Sequence, residues 1–294
     1  MKLAAIDIGS NAARLLISEI TETENAKPVF TKLNLIRVPL RLGFDVFEKG
    51  EISKQRTTML LQTMKAFGFL LKAYNVNHIK ACATSAMRDA HNSAEVLKKV
   101  KQETGIAIEI ISGDKEAAIV YETHIAENLD KEHAYLYIDV GGGSTELSFF
   151  ADGKLRYKES IKIGTIRLLK NMVDDRQWNE LRDKIKQNIK SKFPVIAIGS
   201  GGNINKVFSL SKKKDGKPLQ LQLLKDYYKE LSNFSAEERA RTYKMKDDRA
   251  DVIVPALQIY VNIMRWADIE EIYVPKIGLA DGLIQNLYEE VRTK

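Results

Sequence analysis

The run Ala5-Ile6-Asp7-Ile8-Gly9-Ser10-Asn11 has a counterpart 132 residues on, counted from Asp7 to Asp139. The counterpart reads Tyr137-Ile138-Asp139-Val140-Gly141-Gly142-Gly143-Ser144-Thr145-Glu146. Each copy is an apolar stretch, an Asp, a Gly/Ser turn and a second apolar stretch, Arg14 to Ile20 and Leu147 to Phe150. That order predicts a β-hairpin whose tight turn presents N–H groups beside a carboxylate. N–H groups gathered in a concave turn bind phosphate oxygens. A carboxylate repels phosphate, and is suited instead to hold a cation, or its water, that bridges to phosphate. Asp7 and Asp139 are therefore candidate cation-linked residues. The plainer alternative is a turn-forming Asp at a strand end. One hairpin in each half predicts a cleft that clamps a phosphate chain from both sides.

A chain of 294 residues has length for two domains with ample core. No apolar run approaches the roughly 18–20 residues that span a bilayer. The N-terminus starts directly into a strand pattern without a signal-peptide layout. The single cysteine, Cys82, lies in the apolar run from Ile79 to Ala83 and reads as a buried thiol. These features lead to the expectation of a cytoplasmic protein with no membrane partner. The net charge of +7 raises the local concentration of polyanions without saying which one. Aromatics are scattered and no nucleic-acid-binding signature is present, so nucleic acid is not an expected partner.

Periodicity predicts strands near Leu3–Asp7, Ala12–Ile20, Val29–Val38, Ile79–Ala83 and Ile106–Ile111 in the first half. Helices are expected over Lys54–Tyr74, over Ser93–Glu103 behind an Asn92/Glu95 capping box, and from Ser112-Gly113-Asp114 to about Glu127. In the second half strands fit Ala134–Asp139, Thr145–Phe150, Leu155–Ile163, Val195–Ile198 and Glu271–Val274. Helices fit Thr165–Met172, Asp175–Lys190, Leu219–Leu231, Ser235–Arg241, Asp248–Trp266 and Asp281–Val291. A further helix is expected after Gly199-Ser200-Gly201-Gly202, where a helix N-terminus attracts anions. The β-β-β-α-β-α order in both halves predicts duplicated α/β domains over residues 1–124 and 125–294. The final helix, 281–294, is a candidate to pack back on the first domain.

At these motifs the chain resembles the exopolyphosphatase/guanosine pentaphosphate phosphatase family. That family shares the ribonuclease H-like fold of actin, Hsp70 and the sugar kinases. The matching segments run in the family's order over nearly the whole chain. They are Ile6 to Asn11, Ala83-Thr84-Ser85-Ala86-Met87-Arg88-Asp89-Ala90-His91-Asn92, Ile111-Ser112-Gly113-Asp114-Lys115-Glu116-Ala117, Asp139 to Leu147, Gly164-Thr165-Ile166-Arg167-Leu168 and Gly199 to Gly202. Weaker matches are Arg249-Ala250-Asp251 and Gly278-Leu279-Ala280-Asp281-Gly282. Departures are Ala12 for the usual Ser, Lys115 for an acidic residue, Asn203 for a Thr and Ala280 for an Arg.

The resemblance implies that Glu116 is the catalytic carboxylate that activates water, assisted by Asp139 and Glu146. It places Ser10, Asn11, Gly141, Gly142, Gly143, Ser144 and Thr145 in the phosphate loops, and Arg88 on phosphate. Gly201 and Gly202 join the phosphate-binding set. Asp7, Asp139 and Glu146 are the candidate ligands of a divalent cation, Mg²⁺ with Mn²⁺ as the alternative. The implied reaction releases terminal orthophosphate from inorganic polyphosphate, or the 5′ γ-phosphate of guanosine pentaphosphate. The family also admits a homodimer. Read from spacing alone, Glu116 is a first-turn Glu that complements its helix dipole, worth roughly 0.3–1 kcal/mol. Two other functions stay open: an alarmone-binding sensor without turnover, kept alive by Ala12 and Lys115, and an ATP-dependent kinase or ATPase of the same fold.

Overall fold

The computed structural model describes residues 1–22, 27–122, 132–275 and 277–292. It divides into two compact units: Met1–Thr123 with Gly278–Lys294, and His124–Ile277.

The first unit is built on β1 (Lys2–Ile8), buried on both faces beyond Lys2. Its small and branched apolar residues suit a central strand covered on two sides. β2 (Ala13–Thr21) and β3 (Val29–Val38) continue antiparallel from it. α1 (Leu42–Lys49) and α2 (Lys54–Ala73) follow. Ser53 caps α2 by accepting the Arg56 N–H at 3.3 Å, and Leu60, Leu61, Met64, Phe67 and Leu71 form its buried stripe. β4 (His78–Ala83) runs parallel to β1 and leads into α3 (Ser85–Asp89) and α4 (Ser93–Thr104). β5 (Glu109–Ile110) is parallel to β4, and α5 (Gly113–Glu122) ends the first stretch of the unit. The strand order is β3-β2-β1-β4-β5.

The second unit repeats that order. β6 (Ala134–Val140), β7 (Thr145–Ala151) and β8 (Lys154–Ile161) form the antiparallel meander. α6 (Thr165–Leu169) and α7 (Asp175–Asn188) lead to β9 (Val195–Ser200), parallel to β6. α8 (Gly202–Ser211), β10 (Leu219–Gln220), α9 (Leu221–Ser232), α10 (Ala236–Thr242), α11 (Asp247–Ala250) and α12 (Ile253–Trp266) precede β11 (Glu271–Tyr273). The sheet order is β10-β11-β9-β6-β7-β8, which is the first unit's order with one added edge strand. One core cluster takes in Leu136, Ile138, Leu147, Phe149, Leu257 and Tyr260. α13 (Leu279–Arg292) then returns to the first unit, where Leu283, Ile284, Leu287 and Tyr288 pack on Leu3, Ala5 and Leu16. Both units thus have the ribonuclease H-like topology. No helix among the described residues is long and apolar enough to cross a membrane.

Several local expectations change. Asn92 precedes α4, but its side chain caps nothing. Its amide pairs instead with both main-chain groups of Ile52, accepting from N–H at 3.0 Å and donating to C=O at 2.9 Å. A two-bond tertiary clamp outcompetes a single cap. The strand expected over Ile106–Ile111 shrinks to Glu109–Ile110. α6 stops at Leu169, short of Met172. Leu219 and Gln220 pair with Ile272 and Glu271 as an edge strand, so the helix starts at Leu221. The helix expected over Asp248–Trp266 is broken at Asp251 and Val252 into α11 and α12. α1 was not foreseen, because eight residues containing Gly43 and Asp45 read as loop. The end of the helix begun near Asp114, with the 124/125 boundary, lies outside the described residues.

Candidate active site

The two hairpins keep one register. Ile8 faces Ala13 and Val140 faces Thr145, so every paired position in the second copy is shifted by the same 132 residues. Each turn is closed by one bond, from Gly9 N–H to Ala12 C=O at 3.0 Å and from Gly141 N–H to Ser144 C=O at 2.9 Å. Among the described residues, positive φ falls on none of the residues of either turn. Their glycines are therefore not demanded by a left-handed backbone. What fixes each turn is the start of the helix that follows its meander. Gly43 N–H donates to Ser10 C=O at 2.8 Å, and Arg41 N–H to Asn11 C=O at 2.9 Å. In the second unit Thr165 N–H donates to Gly141 C=O at 3.0 Å and Ile166 N–H to Gly142 C=O at 2.8 Å. Arg167 Nε holds Gly143 C=O at 2.8 Å. With turn carbonyls engaged this way, the N–H edge of each turn is the one left to meet an anion. Among the described residues nothing accepts the N–H of Ser10, Gly142 or Gly143.

Residues directly opposite in neighbouring strands share a face. In the first unit one row reads Cys82, Asp7, Arg14, Arg37. The same row in the second unit reads Ser200, Asp139, Glu146, Ser160. Asp7, 4% exposed, is bonded by Arg14 Nη1 at 2.6 Å. Glu146, also 4% exposed, accepts from Ser144 Oγ at 2.6 Å and Ser160 Oγ at 2.9 Å on its Oε1. It faces the Asp139 carboxylate across the strand pair, an arrangement of like charges that costs stability unless a cation or proton intervenes.

Glu116 sits in the first turn of α5, its N–H bonded to Ser112 C=O at 2.9 Å. Arg88, in the last turn of α3, places Nη1 3.1 Å from Glu116 Oε2 and 2.8 Å from Ile111 C=O. Burial pushes the Cys82 thiol well up, and the carboxylates of Asp7, Glu116 and Glu109 push it further. Ser10 accepts the Ala86 N–H of α3 on its hydroxyl at 3.2 Å, tying turn to helix. Thr145, fully buried, commits its hydroxyl to Ile163 C=O at 2.6 Å and so braces the second turn.

Gly201, the N-cap of α8, has φ of 104°, and a Cβ there would lie 3.1 Å from Asp139 Oδ1. A Cβ on Gly202 would lie 2.6 Å from Arg249 Nη1. Glycine lets a carboxylate and a guanidinium both close on the start of α8. Four residues escaped the sequence reading as site residues: Arg14, Ser160, Arg249 and Tyr260. Tyr260 donates to Ser200 C=O at 2.5 Å, and burial followed by the Asp139 carboxylate pushes its phenol well up. The 132-residue shift could have found Arg14 as the partner of Glu146. The other three are brought in by sheet register and by helices distant in sequence.

Among the described residues no group of three or more His, Cys, Asp or Glu side chains is arranged to hold a metal ion. Mg²⁺ needs no such cage, since it binds through one or two carboxylates with waters and substrate phosphates. Asp139 and Glu146 fit that requirement. Asp7 fits poorly, because its carboxylate already faces a guanidinium.

The chain is 30% identical to a bifunctional 3-dehydroquinate synthase/phosphatase of Fusobacterium nucleatum, over 99% of the chain and 47% of that protein. It is thus about half the length of that relative. It is 25% identical to exopolyphosphatase 1 of Mycobacterium tuberculosis, over 97% of the chain and 87% of that protein. The crystal structure of the Aquifex aeolicus Ppx/GppA family member matches with a TM-score of 0.76 at 26% identity, covering 99% of this chain and 98% of that one. The family model described as the Ppx/GppA phosphatase family matches residues 16–291, and the chain belongs to that family.

Proposed function

We propose that this protein hydrolyses phosphoanhydrides, releasing terminal orthophosphate from inorganic polyphosphate or the 5′ γ-phosphate of guanosine pentaphosphate. The observation that carries the reading is the opposed pair Asp139 and Glu146 beside a turn whose Gly142 and Gly143 N–H groups donate to no acceptor among the described residues. Carboxylates paired in that way call for a cation, and open N–H groups call for an anion. A metal-bound phosphate supplies both.

Phosphoryl transfer depends on positioning and charge neutralisation more than on covalent chemistry. The N–H edges of the Ser10 and Gly142–Gly143 turns bind phosphate oxygens. Arg88 contributes a guanidinium and also fixes the carboxylate of Glu116 by its 3.1 Å contact. Glu116 orients the attacking water and takes its proton. A divalent cation, Mg²⁺ or Mn²⁺, on Asp139 and Glu146 would neutralise charge that develops on the transferred group. Ser144 and Ser160 keep the Glu146 carboxylate aimed. The buried free thiol of Cys82 accords with a reducing, cytoplasmic setting.

The test is phosphate release from short polyphosphate, long polyphosphate and guanosine pentaphosphate, run side by side with Mg²⁺ and with Mn²⁺. Metal-dependent release from at least one substrate is expected, and its loss in Glu116→Gln assigns the base. Tight guanosine pentaphosphate binding without release would favour the sensor. Transfer of labelled phosphate from ATP to an acceptor would favour a kinase.

A further inference from the structure

We propose that Tyr260 is a positioning residue for the Asp139 carboxylate, an assignment that rests on the phosphohydrolase reading and its cation at Asp139 and Glu146. The two units show where its hydroxyl acts. In the first unit β1 and β4 stay paired one step beyond the Asp. Ile8 faces Ala83, and Thr84 N–H then donates to Ile8 C=O at 3.1 Å. In the second unit β6 and β9 stop pairing at the Asp itself, where Asp139 faces Ser200. Val140 and Gly201 stand in the places of Ile8 and Ala83, and they do not pair. Gly201 takes φ of 104° and caps α8.

Tyr260 fills the parting between the strands. Its ring comes from the middle of α12 and is 1% exposed. Its hydroxyl donates to Ser200 C=O at 2.5 Å and lies 3.4 Å from the Ile138 carbonyl oxygen. The Val140 N–H is turned to the same hydroxyl oxygen. One hydroxyl thus holds both strand ends at the point where a direct rung closes the first unit. The two peptide groups it holds lead into Asp139 and into Gly201. Those residues meet at the site, since a Cβ on Gly201 would lie 3.1 Å from Asp139 Oδ1. The hydroxyl therefore sets the gap between the carboxylate and the start of α8. In open α/β sheets ligands bind beyond the carboxyl ends of the strands, where neighbours part. A parting of fixed width keeps a cation-binding carboxylate aimed.

The test measures Mn²⁺ affinity without substrate, the Mg²⁺ dependence of phosphate release from tripolyphosphate, and the melting temperature, in wild type, Tyr260→Phe and Tyr288→Phe. Tyr288, also 1% exposed, is a matched hydroxyl in the first unit, bonded to Glu22 Oε1 at 2.7 Å. Tyr260→Phe is expected to weaken Mn²⁺ binding about tenfold and to raise the Mg²⁺ needed for half-maximal release by the same factor. The larger share of its loss should lie in that metal requirement rather than in the rate at saturating Mg²⁺. Tyr288→Phe is expected to bind Mn²⁺ like wild type. A lower melting temperature in Tyr260→Phe with wild-type Mn²⁺ affinity would reduce Tyr260 to a core residue and overturn the assignment. An equal Mn²⁺ loss in Tyr288→Phe would overturn it too. If Tyr260→Phe does not fold, Gly201→Ala presses a methyl into the same gap and is expected to weaken Mn²⁺ binding. Wild-type affinity in that variant overturns the assignment, as does the absence of Mn²⁺ binding in wild type. If wild type binds Mn²⁺ but releases no phosphate, the hydrolase reading fails, and the Mn²⁺ comparison still decides Tyr260.

Discussion

The two hairpins share backbone, register and closing bond, yet the rows of side chains behind their turns carry opposite charge. The first row carries one carboxylate and two guanidinium groups: Asp7 is bonded by Arg14, and Arg37 lies opposite Arg14 in the next strand. The second sets two carboxylates between two hydroxyls, Asp139 and Glu146 between Ser200 and Ser160. The same scaffold carries a net positive row in one unit and a net negative row in the other, through different residues at a few register positions. The residue that marks the split is the partner of the shared Asp: Arg14 in one copy, Glu146 in the other.

Five substitutions test that division, from the largest effect downward. Replacing Glu116 with Gln removes the proposed base, and phosphate release should fall by roughly 10³-fold with tripolyphosphate binding kept. Turnover within a few-fold of wild type would remove Glu116 from the mechanism. Gly164→Ala drives a methyl into the Gly142 carbonyl, and urea unfolding should show a loss of about 3 kcal/mol. A silent Gly164→Ala would mean that α6 does not brace the second turn. Arg14→Met leaves a buried Asp7 beside an apolar side chain and should cost about 2 kcal/mol, recovered in part by adding Asp7→Asn. Glu146→Gln, measured without metal, should be neutral or slightly stabilising, because it ends a like-charge opposition worth about 0.2–1 kcal/mol. Opposite signs for Arg14→Met and Glu146→Gln are the signature of the split. Equal signs would erase it. With Mg²⁺ present, Ser160→Ala should slow release about fivefold by loosening the Glu146 carboxylate.

The sequence carried the duplication clearly, because Asp7 and Asp139 each sit between an apolar strand and a Gly/Ser turn. It also carried the strand Val29–Val38 to the residue, since five of its ten residues are β-branched or aromatic. The sign difference lay one step deeper. Seeing Arg14 and Glu146 as equivalents requires carrying the 132-residue shift past the turns, to positions where the residue types no longer match. Ser160 and Arg249 enter the site through a third strand and a helix far along the chain. Asp7 and Asp139 read alike in the sequence, and the contact that sets Asp7 apart, Arg14 Nη1 on its carboxylate, follows from the strand register. Asn92 failed as a cap for a related reason: its better partner, Ile52, is 40 residues away and invisible to local pattern.

Direct binding of Mn²⁺, followed by the paramagnetic resonance of the free ion, tests the division of labour most directly. Wild type, Asp7→Asn and Glu146→Gln would be titrated in parallel without substrate. The charge split predicts that Glu146→Gln weakens Mn²⁺ binding at least about tenfold while Asp7→Asn binds like wild type. Loss of Mn²⁺ in Asp7→Asn with full binding in Glu146→Gln would contradict it.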